Sequence, residues 1–121
     1  MRHNFKNLKI WILAMDITND IYKLTSTFPK SEIYSLASQM NRCSVSIPSN
    51  IAEGSNRENK HFKHYLNISL GSSFELQTQL LIASQNEYLS KELTEKIENK
   101  IIEFQKMTTG FINKLDYNLS S

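Results

Sequence analysis

The 121-residue chain is 40% hydrophobic and 21% charged, a globular composition that argues against a disordered or membrane-embedded protein, and its length suits one core without a separate substrate domain. Cys43 is the single cysteine, which excludes an intrachain disulfide and a cysteine-rich zinc site. The net charge is +2 but uneven: residues 1–63 hold nine basic and five acidic side chains, residues 64–121 five and seven, so a polyanion-facing surface is expected mainly on the first two helices.

With three glycines and two prolines, long helices with few breaks are expected, and no alternating strand pattern competes. The spacing of Leu8, Trp11, Ile12, Met15, Tyr22 and Leu24 predicts a first helix over 6–26. Phe28-Pro29 stops it, because proline drives the residue before it out of the α region. A second helix over 31–54 is expected to be capped by Ser31 and to place Ile33, Leu36, Ala37, Met40, Ser44, Ile47 and Ile51 along one stripe. Pro48 lies inside it and has no N–H for the carbonyl of Ser44, which predicts a kink.

The third helix, over 57–88, is expected to open with a capping box from Ser55 to Glu58. It buries Phe62, Leu66, Ser69, Ser73, Leu76, Leu80 and Ala83, and the small serines should admit a neighbouring helix closely. Ser90 starts a fourth helix over 91–117, with Glu92 near its positive end and Leu93, Ile97, Ile101, Phe104, Met107, Phe111 and Leu115 at core spacing. Short connectors force sequential helices to run antiparallel. The expected fold is therefore all-α, an up-down-up-down four-helix bundle in one domain over 1–121.

Polar residues interrupt the apolar stretch 66–86, and Asp16 and Asp20 follow the short run Ile10–Met15, so neither a membrane span nor a signal peptide is expected. A bacterial cytoplasmic location is the corresponding expectation.

At 100° per residue, Ser35, Gln39, Arg42, Ser46, Asn50, Glu53 and Arg57 fall in one sector of the second helix, opposite its apolar stripe. Amides, hydroxyls and charges are dense there, whereas the outer face of the fourth helix is a plain Lys/Glu surface. A solvated face and a polar contact surface for another subunit or ligand both fit this pattern.

Phe28-Pro29, Glu32, Leu36, Gln39, Arg42, Ser46-Ile47, the run Asn50-Ile51-Ala52-Glu53-Gly54, Gly71-Ser72 and Glu75 together resemble the 23S rRNA intervening-sequence proteins. The likeness extends from Phe5 and Leu8 through Trp11 and Tyr22 to Met107 and Gly110, and the block 42–54 is its most specific part. Ser73 departs from a larger apolar residue common in the family, and Gln77 from an acidic one. The resemblance implies a four-helix bundle that assembles as a homopentameric ring, encoded in some bacteria within insertions of 23S rRNA genes. The family is also related to the accessory protein of diversity-generating retroelements, which looks like a ring that binds nucleic acid and reverse transcriptase. On this basis Gln39, Arg42, Ser46, Asn50 and Glu53 are candidates for a polar intersubunit or intrahelical network. Arg42 and Glu53 lie three turns apart and are too distant to pair directly.

Chemical motifs are few. Glu58 and His61 form one Glu-x-x-His unit, where a di-iron bundle needs two, and Arg57, Lys60 and Lys63 disfavour a cation beside His64, so no metal or other cofactor is expected. The same cluster, Arg57, Lys60, Lys63 and His64, is suited to phosphate, with Lys6, Lys9 and Arg2 as further cations. Cys43 lacks an activating histidine motif, and no nucleotide-binding or hydrolase signature occurs, so no catalytic residue is assigned. The functional expectation is a non-enzymatic homo-oligomer that binds RNA or DNA. The alternative is a scaffold or accessory subunit for a protein partner without nucleic-acid binding.

Overall fold

The computed structural model describes residues 4–120, with side chains described for residues 4–117. Its regular elements are a 3-10 turn at Phe5–Asn7, α1 (Lys9–Thr25), a second 3-10 turn at Lys30–Glu32, α2 (Leu36–Ser55), α3 (Asn59–Gln85) and α4 (Lys91–Ser120). Arg2 lies outside the described residues.

Local hydrogen bonds set the helix ends, and two of them differ from expectation. Ser31 does not cap α2; it sits in the 3-10 turn, and α2 begins five residues later. There the Glu32 carboxylate accepts from the Leu36 amide at 3.2 Å, because its longer side chain spans the extra turn. Ser55 likewise does not start α3. It is the last residue of α2, and its hydroxyl donates to the Ala52 carbonyl at 2.8 Å, so the expected capping box to Glu58 is not formed. Ser90 does cap α4, its Oγ accepting from the Leu93 amide at 3.1 Å.

α3 closes with the Tyr88 amide donating to the Ala83 carbonyl and the Glu87 amide to that of Ser84, the Schellman pattern. Glu87 occupies its left-handed position at φ 63°, where glycine is usual.

α2 runs unbroken through Pro48, and α1 compensates for the missing donor. Thr18 Oγ1 stands 2.9 Å from the Ser44 carbonyl that Pro48 leaves free, and 2.9 Å from the Ala14 carbonyl of its own helix, so its one hydrogen is shared between them.

Contact registers fix the helix directions. Thr25 meets Asn41 and Thr18 meets Ser44 between α1 and α2. Cys43 meets Ser72, Ile47 meets Ser69 and Gly54 faces Tyr65 between α2 and α3. Ser84 meets Thr94, Gln77 meets Glu98 and Gln105, and Lys63 meets Asp116 between α3 and α4. In every pair one number rises as the other falls, which is an antiparallel arrangement. α4 also packs on α1, while the diagonal pairs α1/α3 and α2/α4 keep their backbones apart.

The core holds Ile17, Ile21, Met40, Ile47, Ile51, Phe62, Leu66, Leu76, Leu80, Ile97, Ile101 and Phe104, all fully buried. Full burial of each such side chain contributes about 1.5–3 kcal/mol before the entropy of ordering is subtracted. The expected stripe of α3 is buried at every position. In α1 it is rotated: Leu24 is buried as expected, but Ile12 and Tyr22 are half exposed, and Ile10, Ala14, Ile17 and Ile21 face inward instead. Apolar residues occupy two faces of α1, and periodicity alone does not rank them. Ile33 and Leu93 are also exposed rather than buried.

Small side chains bring α2 and α3 together as their serines suggested. Ser69 donates to the Ile47 carbonyl at 2.8 Å, and Cys43 to that of Ser72 at 3.1 Å. Ser73, one of the two departures from the family pattern, is fully buried with its hydroxyl on the Leu70 carbonyl at 2.6 Å.

Candidate functional site

The polar stripe of α2 divides into two parts. Towards α3, Ser46 donates to the Cys43 carbonyl at 2.7 Å and Asn50 to the Ser46 carbonyl at 2.7 Å, so both are half-buried and bound within their own helix. Glu53 pairs with Arg57 one turn on, at 2.9 Å, and not with Arg42. Both groups are about half exposed, so the pair adds little stability. Gln39 and Arg42 are exposed, and Arg42 has no ion pair among the described residues.

Arg42 borders an open groove of about 630 Å³ between α1 and α2, beside Tyr22, Ile33, Tyr34 and Val45. Tyr34 is 96% exposed, and the other three are 39–51% exposed. The sequence does not reveal this apolar surface, because Tyr22 and Ile33 recur at the same helical spacing as core residues.

The basic residues gather at one end of the bundle, where α1 and α3 begin and α2 and α4 finish. Phe5 of the N-terminal turn shares a cleft with Glu53 and Arg57, which brings Lys6 and Lys9 towards the end of α2. The Arg57 guanidinium also lies 5.5 Å from the centre of the Tyr65 ring, and His64 meets that ring edge-on at 5.6 Å. Lys63 is held by Asp116 of α4 at 2.7 Å. Lys60, Lys6 and Lys9 are exposed and have no ion pair among the described residues.

Two further cations join them from the half of the chain with a net negative charge: Lys106 and Lys114 of α4 line a groove opposite Lys9. The basic surface is therefore not confined to the first two helices. Their spacing of eight residues places both on one face of α4, but only the packing of α4 on α1 shows that Lys9 meets them.

Other titratable groups hold the bundle together. Lys100 bonds Asp16 at 2.8 Å and Asp20 at 2.7 Å, joining α4 to α1, and these two hydrogen bonds raise its pKa. Gln77, the second departure from the family pattern, donates to Glu98 and accepts from Gln105, both at 2.9 Å. Tyr88 donates to Glu32 at 3.1 Å, tying the α1–α2 connection to the α3–α4 turn. Burial, followed by the nearby Glu75 carboxylate, pushes the Cys43 thiol up to about 12, which makes it a poor nucleophile at neutral pH. Among the described residues no group of three or more His, Cys, Asp and Glu could hold a metal ion, and no helix is long and apolar enough to cross a membrane.

The close approach at the end of α2 explains the most distinctive run of the chain. Asn50-Ile51-Ala52-Glu53-Gly54 buries Ile51, places Asn50 and Glu53 in helix-borne bonds, and brings Gly54 against Tyr65 and Phe62 where a side chain does not fit.

No curated protein matches this chain. A crystal structure of a protein of unknown function from the S23 ribosomal protein family of Bacteroides thetaiotaomicron superposes with a TM-score of 0.79 at 24% identity, covering 86% of this chain and 95% of that one, which shows a common fold. The sequence profile of the 23S rRNA-intervening sequence protein family matches residues 6–110, a span that includes all of α1 to α3 and most of α4. The chain belongs to the 23S rRNA-intervening sequence protein family.

Proposed function

We propose that this protein is a non-enzymatic, self-assembling bundle that binds RNA or a ribonucleoprotein through the basic end of the bundle. The observation that carries this reading is the grouping of Lys9, Lys106 and Lys114 around one groove, with Lys6 beside the start of α1 and Lys60 at the start of α3 also exposed, each without an ion pair among the described residues. Unpaired ammonium groups are available to displace counterions from a phosphate backbone, and DNA offers the same phosphates. In the homopentamer that the family resemblance suggests, five copies of this surface would act together, so contacts that are weak singly combine through avidity.

A second reading, a scaffold or accessory subunit for a protein partner, draws on a different surface. Tyr22, Ile33, Tyr34 and Val45 beside Arg42 form an exposed apolar patch with a free cation, a composition suited to a protein contact. Light-scattering mass with and without RNA, at low and moderate salt, separates the two. The first reading expects an oligomer that gains RNA mass and loses it as salt rises, with Lys60→Glu weakening binding about tenfold. An oligomer indifferent to RNA at both salt concentrations supports the scaffold, and a monomer removes the assembly from both readings.

A further inference from the structure

Lys9, Lys106 and Lys114 border an open groove of about 480 Å³ between the start of α1 and the later part of α4. None of the three has an ion pair among the described residues, and no carboxylate lines the groove. Its floor is apolar, formed by Leu8, Met107 and the half-buried Phe111. Lys106, Gly110 and Lys114 follow one another at four-residue intervals, so they share a face of α4. Gly110 leaves a gap in that row, since a Cβ built there meets nothing within 4 Å. The result is a slot with an apolar floor and an ammonium group on either side.

That combination discriminates among polyanions. Unpaired lysines attract phosphate from any nucleic acid, but a duplex keeps its base faces stacked inside, whereas a single strand presents phosphates and bare base faces together. An acyl chain calls for a deeper, enclosed apolar channel than this open groove provides. We propose that the groove over Gly110 is a binding site for single-stranded nucleic acid. One unstacked base lies in the slot against Leu8 and Met107, and the flanking phosphates are held by Lys9, Lys106 and Lys114. This inference rests on the nucleic-acid reading above and adds to it the place of binding and the class of strand.

The test is fluorescence anisotropy of the full chain with a short labelled oligouridine and with an RNA duplex of the same length. Gly110→Leu fills the slot without changing charge, and it is compatible with folding because it replaces glycine in an open, mid-helix position. It should weaken single-strand binding about tenfold while leaving duplex binding unchanged, and Gly110→Ala should bind like the parent. Lys106→Gln with Lys114→Gln should flatten the dependence of log affinity on log salt by about 1.4, at about 0.7 per phosphate contact. If the parent binds oligouridine and Gly110→Leu binds it equally well, the site is wrong and the RNA reading stands. A parent that binds neither RNA at low salt removes that reading and this site with it. If the Gly110→Leu defect appears with anionic phospholipid vesicles and not with RNA, the groove takes lipid and the inference is overturned.

Discussion

Replacing Gly54 by alanine tests the closest helix contact in the protein. A Cβ at Gly54 would stand 2.6 Å from Cβ of Tyr65 and 3.0 Å from Cδ1 of Phe62. Carbon atoms rest about 3.5–4.0 Å apart, so the overlap with Tyr65 is roughly 1 Å. The Tyr65 atom is attached directly to the backbone of α3 and has no rotamer that moves it away. Relief therefore requires α2 and α3 to separate at this end, the kind of overpacking that costs about 1–3 kcal/mol. Alanine recovers up to about 1 kcal/mol of helix propensity, less near a helix end such as this. The net expectation is a loss of about 1–2 kcal/mol, or roughly 4–8 °C in melting temperature for a domain of this size.

Gly71 and Gly110 provide internal controls, because a Cβ at either meets nothing within 4 Å and both lie inside helices. Alanine at those positions should raise the midpoint by up to about 4 °C. The assay is thermal and urea unfolding followed by circular dichroism, at one protein concentration for all variants so that any assembly contributes equally. A Gly54→Ala midpoint at or above that of the parent, alongside stabilised Gly71→Ala, would refute the close-approach argument.

Three further outcomes follow from the packing. Thr18→Val keeps the branched shape but leaves the Ser44 carbonyl without its partner from α1, and should cost about 1–2 kcal/mol. Adding Pro48→Ala restores an amide donor to that carbonyl, so the double variant should lose less than the sum of the single changes; strict additivity in a urea-unfolding cycle would rule the compensation out. The pKa of Lys100 is raised by Asp16 and Asp20, so its contribution is fully present below about 10.5 and is lost as pH rises through the higher folded value. The stability gap between the parent and Lys100→Met should hence stay constant from neutral pH to about pH 9 and close in stronger alkali; a gap that closes between pH 7 and 9 contradicts the assignment. The Cys43 thiol, raised from 9.0 to about 12, should carry roughly 10³-fold less thiolate than an unperturbed thiol at pH 8. Disulfide-exchange labelling of the folded protein should slow by at least that factor, and labelling at the rate of the urea-unfolded chain would show the site to be open.

Four helices and the buried edge of α3 were legible in the sequence, because Phe62, Leu66, Ser69, Ser73, Leu76, Leu80 and Ala83 repeat at a helical period, although Ile68, Phe74, Leu81 and Ile82 leave apolar side chains exposed elsewhere on the same helix. The start of α4 at Ser90 was legible for a similar reason: a hydroxyl three residues before the amide it receives is a local relation. Ser31 and Ser55 carried the same local signal and did not cap, since Glu32 reached the Leu36 amide and Ser55 remained within α2. The inward face of α1 was ambiguous because Ile12 and Tyr22 satisfy helical spacing as well as Ile17 and Ile21 do. Along the chain, the Arg57–His64 cluster and the Arg42 stripe were visible as composition. Spacing along the chain determines which residues share a helix face. It does not determine which face meets which, and so only the tertiary structure placed Lys9 opposite Lys106 and Lys114, Thr18 on the carbonyl freed by Pro48, and Tyr34 on an open surface.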